Sequence, residues 1–324
     1  MWVTSSTATA LTPTAVALGN FDGVHRGHRQ VVQPILSESP VTSEKEKELL
    51  KHRPLATVVT FNPHPREFFT GQSRKLLTPL AEKAAQLERL GVEQLVSLPF
   101  DQKIASLSPQ QFVAEILVEQ LQATFISVGE DFRFGKNRAG CATELINLAA
   151  QFGIEVTVAP LETCASDRIS SSLIRQALSE GEIPKANRLL GRDYTLIGQV
   201  VTGQKLGRTI GFPTANLQVP ADKFLPRQGV YCVTVEKFSD FNTSPETLIG
   251  VMNLGCRPTV DGKNPTIEIH LLDWSGDLYG QKIIVSLKQF LRSEQKFPSL
   301  DALKAQIATD CQRARKYFSE LDTR

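Results

Sequence analysis

The sequence lacks any paired-cysteine motif. Its five cysteines are scattered and form no C-x-x-C pair, which argues against a disulfide framework or a zinc site and is typical of a protein of the reducing cytosol. No uncharged apolar run approaches about 18 residues, so we expect a cytoplasmic protein with no transmembrane helix and no membrane partner. The amino terminus has neither the basic start of a secretory signal nor the arginines of a transit peptide, and we predict a short tail that leads into a strand.

An excess of charge of either sign is also missing. The 36 basic and 34 acidic residues leave a net charge of +2, too little for a global field that would attract nucleic acid. We therefore expect small-molecule substrates as partners and no nucleic acid. A chain of 324 residues is long for one core, which favours two domains. The sequence leaves the oligomeric state open, a homo-oligomer included.

The first half of the chain alternates short apolar runs with helical patterns. The apolar runs are Ala15–Leu18, Ala56–Phe61, Gln94–Leu98, Thr124–Val128 and Ile154–Ala159. Between them, Thr78-Pro79 opens one helix, and Ser108-Pro109 with Gln111 opens another through a capping box. This alternation predicts an α/β domain with a mostly parallel sheet covered on both faces.

The pattern changes after about residue 185. Five strand-like runs follow with little helix between them: Thr195–Val201, Val230–Glu236, Leu248–Asn253, Thr266–Leu272 and Lys282–Leu287. They predict a small antiparallel sheet or barrel, an all-β domain. Ser299 is the predicted cap of a terminal helix whose shared face is Leu300, Leu303, Ile307, Ala314 and Phe318. We place the domains at residues 1–186 and 187–324.

A glycine-rich loop with two histidines follows the first predicted strand. It runs Gly19-Asn20-Phe21-Asp22-Gly23-Val24-His25-Arg26-Gly27-His28 and enters the first helix. A helix start offers N–H groups and a positive dipole end to phosphate. His25 and His28 fall on one helix face and can donate to the same phosphate, which would stabilise attack at the α-phosphate of ATP. The alternative is a glycine turn that carries two surface histidines.

Three further segments of this half carry polar groups at positions suited to a ligand. The serines of Ile169-Ser170-Ser171-Ser172-Leu173-Ile174-Arg175 can cap a helix and hold phosphate oxygens, and Arg175 suits the β- and γ-phosphates. The loops Phe61–Pro65 and Gly129–Gly135 follow predicted strands at their carboxyl ends, where ligands bind in open α/β sheets. Phe132 and Phe134 can face a flat ring or fill the core, and we expect at least one in the core.

The most distinctive string in the second half is Gly207-Arg208-Thr209-Ile210-Gly211-Phe212-Pro213-Thr214-Ala215-Asn216. It lacks the spacing of a P-loop, so that mechanism is excluded for this segment. Thr214 and Asn216 lie two apart in an extended segment and would point the same way. A hydroxyl and an amide oxygen are hard ligands that suit a magnesium ion carried by ATP.

A second candidate in this half is a carboxylate on an alternating strand. In the run from Thr266 to Leu271, Glu268 and His270 share the face opposite the apolar residues. An enzyme that phosphorylates a primary alcohol benefits from a general base, because such an alcohol is a poor nucleophile at pH 7. A carboxylate held on a rigid strand, such as that of Glu268, can serve as this base. The alternative is a half-exposed strand with outward polar residues.

These motifs carry a resemblance to bacterial bifunctional riboflavin kinase/FAD synthetases. The family's G-x-F-D-G-x-H-x-G-H, F-x-P-H-P, F-R-F-G and I-S-S-[ST]-x-I-R segments occur in order in the first half. The resemblance implies a Rossmann-like nucleotidyltransferase domain that adenylylates FMN. It implies ATP binding by Gly19, Phe21, Asp22, Gly23, His25, His28, Ser171, Ser172 and Arg175, with His25, His28 and Arg175 catalytic. It implies flavin binding by Asn62, His64, Asp131 and Phe132.

The second half resembles a riboflavin kinase domain. The match runs from about Gly191 to Asp310 and includes G-R-T-I-G-F-P-T-A-N, G-V-M-N-L-G and F-L-R. It implies a six-stranded antiparallel barrel with a terminal helix, with Mg²⁺ as cofactor and ATP, riboflavin and FMN as substrates. It implies that Gly207, Thr214 and Asn216 bind ATP, that Thr214 and Asn216 hold the metal, that Glu268 is the catalytic base and that Arg292 lies at the flavin site.

The leading hypothesis is therefore an enzyme with two active sites. One phosphorylates riboflavin to FMN, and the other adenylylates FMN to FAD and releases pyrophosphate. Three alternatives stay open at this point: an enzyme with only one active half, a flavin-binding or storage protein without catalysis, and a nucleotidyltransferase for another phosphate.

Overall fold

The computed structural model describes most of the chain. The described residues are 1–36, 53–164, 167–203, 207, 210–237, 247–259 and 262–322. The chain divides into two compact units, Met1–Ser171 and Ser172–Arg324. The predicted boundary after residue 186 lies a short distance further along the chain and stays a prediction.

The first unit is built on a parallel sheet. Its strands are β1 Trp2–Thr4, β2 Thr14–Leu18, β3 Leu55–Asn62, β4 Gln94–Pro99, β5 Ala123–Gly129, β6 Arg133–Phe134, β7 Gly140–Cys141, β8 Glu155–Ala159, β9 Thr163–Cys164 and β10 Asp167–Arg168. Six of them form the sheet in the order β1-β4-β3-β2-β5-β8, all parallel, while β6 pairs with β7 and β9 with β10. Every residue of β2 is buried, because both faces of the sheet are covered.

The predicted α/β class and its five strands are confirmed, but the prediction of an amino-terminal tail is wrong. Trp2–Thr4 pairs with β4 and adds an edge strand to the sheet. The segment is short and rich in hydroxyls, so it has no apolar run that marks it as a strand. Pairing with β4, the ion pair of the Met1 ammonium with Glu88 and the hydrogen bond from the Trp2 indole to the Thr9 carbonyl hold it as an edge strand.

Short helices connect these strands. They are α1 Arg26–Val32, α2 Pro65–Thr70, α3 Leu80–Arg89, α4 Gln102–Ser106, α5 Pro109–Gln111 and α6 Ala142–Ala150, and a π-helical stretch, Phe112–Gln120, continues α5. The predicted helix starts are confirmed. Pro79 is the N-cap of α3, and Ser108 forms the expected capping box with Gln111 ahead of α5.

The second unit is a closed antiparallel barrel, as the resemblance implied. Two helices, α7 Ser171–Glu180 and α8 Ile183–Leu190, lead into it. Its strands are β11 Tyr194–Val201, β12 Ala215–Gln218, β13 Gly229–Lys237, β14 Thr247–Thr259, β15 Gly262–Leu271 and β16 Lys282–Arg292, and they close in the order β11-β12-β15-β14-β13-β16. The five predicted strands are confirmed, and β12 supplies the sixth.

The terminal helix α9, Leu300–Asp322, packs against the outer surface of the barrel. Their shared core consists of Val230, Cys232, Val251, Leu272, Cys311, Ala314 and Phe318. Ser299 caps the helix as predicted, since its Oγ accepts the N–H of Ala302 at 3.1 Å. Leu300, the first residue of the predicted shared face, is 54% exposed, so the buried part of that face begins further along the helix. None of the helices in the described ranges combines the length and apolar character that crossing a bilayer requires.

Candidate active sites

The loop between β2 and α1 adopts an unusual backbone conformation. Phe21, Gly23 and Val24 have φ values of 47°, 93° and 41°. Positive φ is rare for a β-branched residue such as Val24 and is typically found where the surroundings enforce it, often at ligand sites. The loop from Phe21 to His25 is also buried.

Asp22 and Thr78 hold this loop in place. The Oδ1 atom of buried Asp22 accepts the N–H of Leu77 at 2.8 Å and that of Thr78 at 3.3 Å. In return, the Oγ1 atom of Thr78 accepts the N–H of Gly23 at 2.9 Å. The side chain of Asp22 therefore stabilises the conformation of the loop.

The two histidines cap the start of α1 reciprocally. The Nδ1 atom of His25 accepts the N–H of His28, and the Nδ1 atom of His28 accepts the N–H of His25, both at 3.3 Å. Their rings stack with centroids 3.6 Å apart and 15° between planes. A nitrogen that accepts carries no proton, so both rings are held in the form with the proton on Nε2. Each ring then has an Nε2–H donor, as the hypothesis of phosphate binding requires.

Ser171 lies at the same loop. Its Oγ atom donates to the carbonyl oxygen of Asp22 at 2.7 Å. The structure therefore brings together Ser171 and the predicted residues from Gly19 to His28. Ser172 and Arg175 follow on α7 within the second compact unit. There the guanidinium of Arg175 lies over the ring of Phe224, 5.6 Å from its centroid.

The predicted flavin residues Asn62 and His64 follow β3. Asn62 is exposed, and His64 caps α2 because its Nδ1 atom accepts the N–H of Arg66 at 3.0 Å. A cluster of aromatic rings stands beside them, formed by Phe61, Phe68, Phe69 and Phe100. The ring of Phe69 is 66% exposed, so this end of the sheet offers an accessible aromatic surface.

Asp131 and Phe132 follow β5, at the same end of the parallel sheet as Asn62 and His64. Asp131 forms an exposed ion pair with Arg168. The ring of Phe132 stacks on that of Phe134 with centroids 5.7 Å apart. Phe134 is buried and contacts Phe112 in the core, which confirms the expectation that one of the two aromatic rings fills the core.

In the barrel, three of the predicted site residues, Asn216, Glu268 and Arg292, lie in one continuous row across five strands. The row, read from directly paired residues, is Arg292, Val230, Asn253, Glu268 and Asn216. Paired residues of antiparallel strands project to the same face. Val230 packs against the terminal helix, so this is the outer face of the barrel. The structure thus places Glu268 between Asn216 and Asn253, with Arg292 further along the same row.

Two glycines leave room beside the predicted metal ligands. A Cβ atom on Gly203 would lie 2.2 Å from Nδ2 of Asn216, and one on Gly207 would lie 3.2 Å from Oγ1 of Thr214. The Gly207 carbonyl accepts the N–H of Phe212 at 2.8 Å, which closes the turn before Thr214. Arg208 and Thr209, which belong to the same motif, lie outside the described residues.

Replacing Gly203 with alanine tests this packing. We expect the new methyl group to push the Asn216 amide aside and to raise the KM for Mg-ATP in the predicted kinase reaction about tenfold, because one protein ligand of magnesium is lost. The measurement is steady-state kinetics of riboflavin phosphorylation. FMN adenylylation by the same protein is the control for folding, and an unchanged KM would contradict the placement of Asn216 at the nucleotide.

Arg292 is held by an acidic residue of the terminal helix. Its Nε and Nη2 atoms donate to Oδ2 of Asp310 at 2.9 and 2.8 Å, and the Asp310 side chain is only 2% exposed. Gln306 also donates to Asp310, at 2.9 Å. The terminal helix therefore fixes the orientation of a predicted flavin-site residue.

Removing Asp310 should be costly. We expect Asp310→Ala to destabilise the barrel by about 3–5 kcal/mol, because it leaves a largely buried guanidinium without its partner. Thermal unfolding measures the change. The matched control is Asp273→Asn, which removes the charge from the exposed ion pair with Arg315 on the same helix and should leave the unfolding temperature nearly unchanged. Equal losses in the two variants would contradict this account.

Several residues near the sites were not predicted from the sequence. They are Lys83 and Thr78 beside the histidine loop, Asn253 beside Glu268, Asp310 under Arg292, and the carbonyl contact of His270. The Nδ1 atom of His270 donates to the carbonyl oxygen of Pro213 at 2.9 Å, which ties the Thr214 segment to the strand of Glu268. Among the described residues, no cluster of three or more His, Cys, Asp or Glu side chains could hold a metal by itself.

The fold combines an α/β unit built on a parallel sheet with a closed antiparallel barrel, an arrangement that fits a transferase of two catalytic units. A family model described as FAD synthetase matches residues 7–173, and one described as riboflavin kinase matches residues 190–318. The chain belongs to the bifunctional riboflavin kinase/FMN adenylyltransferase family. This confirms the predicted enzyme, which makes FMN and FAD, over the three alternatives.

Individual relatives agree with this assignment. The bifunctional riboflavin kinase/FMN adenylyltransferase of Escherichia coli K12 is 40% identical over 304 residues, 94% of this chain and 92% of the relative. The enzyme of the same description from Listeria monocytogenes is 38% identical to this chain, and the alignment covers 95% of this chain and 93% of the relative. A crystal structure described as a macrolide-efflux protein from Streptococcus pneumoniae has a TM-score of 0.81 at 30% identity, covering 97% of this chain and 98% of that one.

Proposed function

We propose that the two reactions occur at two separate sites with the residues assigned above. The observation that carries the proposal is the row on the outer barrel face, where Glu268 stands between Asn216 and Asn253. In the other unit, the two stacked histidines at the start of α1 present donors suited to a phosphate. Each site has a different chemistry, so each can be inactivated alone.

In the kinase reaction, Glu268 accepts the proton of the ribityl 5′-hydroxyl as that oxygen attacks the γ-phosphorus of ATP. ADP leaves and FMN forms. Neighbouring strands lie about 4.8 Å apart, so three steps along the row separate Glu268 from Arg292 by roughly 14 Å. Val230, between them in the row, is buried against the terminal helix, so a substrate with its ribityl end at Glu268 and its ring towards Arg292 passes beside that helix. A carboxylate on a strand is held rigidly, which general-base catalysis requires.

The donor set of the kinase site fits magnesium bound together with ATP. Thr214 and Asn216 contribute a hydroxyl and an amide oxygen, and magnesium usually takes few protein ligands beside substrate phosphates and waters. Magnesium would supply charge neutralisation at the phosphates. Gly203 and Gly207 let the backbone approach Asn216 and Thr214 closely.

In the adenylylation reaction, a phosphate oxygen of FMN attacks the α-phosphorus of ATP, and pyrophosphate leaves. The Nε2–H groups of His25 and His28 donate to the oxygens that gain charge in the transition state. Backbone of Gly19, Phe21, Asp22 and Gly23 lines the nucleotide site together with Ser171. Ser172 and Arg175, on the helix that begins at Ser171, are the proposed ligands of the outgoing pyrophosphate.

The flavin of the adenylylation site is assigned to the carboxyl ends of β3 and β5. We place its ring against the aromatic surface beside Asn62 and His64, with Asp131 and Phe132 on the adjoining loop.

We also propose that the enzyme acts in the cytoplasm. All five cysteines are free thiols, which a reducing compartment preserves.

A product time course tests the proposal. Riboflavin and Mg-ATP added to the purified protein should give FMN first and FAD after it, as separated by chromatography. EDTA in excess should stop both steps. The absence of any flavin phosphate, with magnesium and ATP present, would contradict the proposed function.

A further inference from the structure

A lysine that the motifs do not include lies buried beneath the histidine loop. Lys83 is on α3 and is only 6% exposed. Its Nζ atom donates to the carbonyl oxygen of Asn20 at 2.7 Å and lies 3.3 Å from Oγ1 of Thr60. Thr60 also donates to the Asn20 carbonyl, at 3.1 Å. Two donors, Lys83 and Thr60, therefore hold the carbonyl group of the Asn20–Phe21 peptide.

Burial of this amine is unfavourable unless its charge is compensated. Burial lowers the pKa of Lys83 to about 8, and the negative charge of Asp22 opposes that effect. At pH 7 the ammonium form still predominates. An apolar side chain of similar length would fill the same space without desolvation of a charge. A purely structural requirement at this position does not explain a lysine.

The geometry of the peptide bond links Lys83 to the ligand side of the loop. In a trans peptide the carbonyl oxygen and the N–H group point in opposite directions. Because the Asn20 carbonyl points at Lys83, the N–H of Phe21 points away from it. Phe21 then continues with φ of 47°, a conformation that needs support from its surroundings.

We propose that Lys83 is a positioning residue for FMN adenylylation: it holds the Asn20–Phe21 peptide with its N–H turned towards the ATP phosphates and places a positive charge beneath them. This inference rests on the proposed assignment of the loop from Gly19 to His28 to ATP. Lys83 touches no reacting atom. It acts through the backbone of the loop and through its charge.

Two substitutions separate these contributions. Lys83→Met keeps the length but removes the donor and the charge, and we expect the KM for ATP in FMN adenylylation to rise about tenfold or more. Lys83→Gln keeps a donor for the Asn20 carbonyl and should give a smaller rise. The KM for FMN should change little in both, since the loop faces the nucleotide.

Riboflavin phosphorylation by the same polypeptide serves as the internal control and should be unchanged in both variants. The matched control variant is Lys103→Met, which removes an exposed lysine of α4 and should leave both reactions intact. An unchanged KM for ATP in Lys83→Met, or equal losses in the two reactions, would overturn the role of Lys83. A wild-type protein that makes FMN but no FAD would instead overturn the assignment of the loop.

Discussion

Replacement of Glu268 by glutamine is expected to remove FMN formation while FMN that is supplied still becomes FAD. The amide has nearly the same shape but cannot accept the proton of the ribityl hydroxyl, so the kinase kcat should fall about 10²–10⁴-fold. Glu268 lies on β15 of the second unit, whereas the histidine loop belongs to the first unit, so the substitution should leave adenylylation intact. Chromatography of flavin products from riboflavin and from FMN, in parallel reactions, measures both steps.

A matched control for this variant is Glu236→Gln. Glu236 lies in the same barrel, but it pairs with Thr247 and Ile284 and is outside the row of Glu268. We expect wild-type rates of both reactions. If Glu268→Gln kept a kinase rate within a few-fold of wild type, Glu268 would not be the base. If the variant also lost adenylylation, the two sites would not be independent.

The opposite separation is expected when the histidines are changed to asparagine. The Oδ1 atom of asparagine can accept a backbone N–H as a helix cap, so His25→Asn and His28→Asn keep the reciprocal caps of α1. What they remove is the Nε2–H donor of each ring. Loss of one such donor should lower the kcat of FMN adenylylation about 10²–10³-fold and leave riboflavin phosphorylation unchanged.

The histidine variants also distinguish catalysis from folding. An unchanged thermal unfolding temperature with a large loss of kcat would support transition-state donation. If the two variants lost only a few-fold in kcat, the histidines would be caps and nothing more. The double variant should lose less than the product of the two single effects, because the stacked rings act on one phosphate as a unit.

Local pattern was sufficient to predict the central elements of the fold. The strands of the first unit are buried on both faces, so they appear as continuous apolar runs, and the caps at Pro79 and Ser108 have recognisable residues. Two strands of the six-stranded sheet and the barrel were not predicted, because they lack such runs. Trp2–Thr4 is a three-residue edge strand, and Ala215–Gln218 carries two polar residues in four; both are ordered by pairing with distant segments.

The site could be predicted only where its residues are adjacent in sequence. Short motifs contain the two histidines, the serines at α7 and the Thr214–Asn216 pair. Their roles in binding ATP and magnesium remain proposals. Lys83 and Asp310 could not be found in this way. On an amphipathic helix a charged residue is normally solvated, and only tertiary packing shows that Lys83 lies beneath Asn20 and that Asp310 holds Arg292.

The most direct test of two independent ATP sites follows the phosphates of ATP into the flavins. With riboflavin and ATP labelled at either the γ- or the α-phosphorus, the wild type should place γ label in FMN and FAD and α label only in FAD. Glu268→Gln should place almost no label of either kind in FMN or FAD, and His28→Asn should place γ label in FMN with almost no α label in any flavin. Label from the α-phosphorus in FMN, or loss of both labels in His28→Asn, would contradict the account.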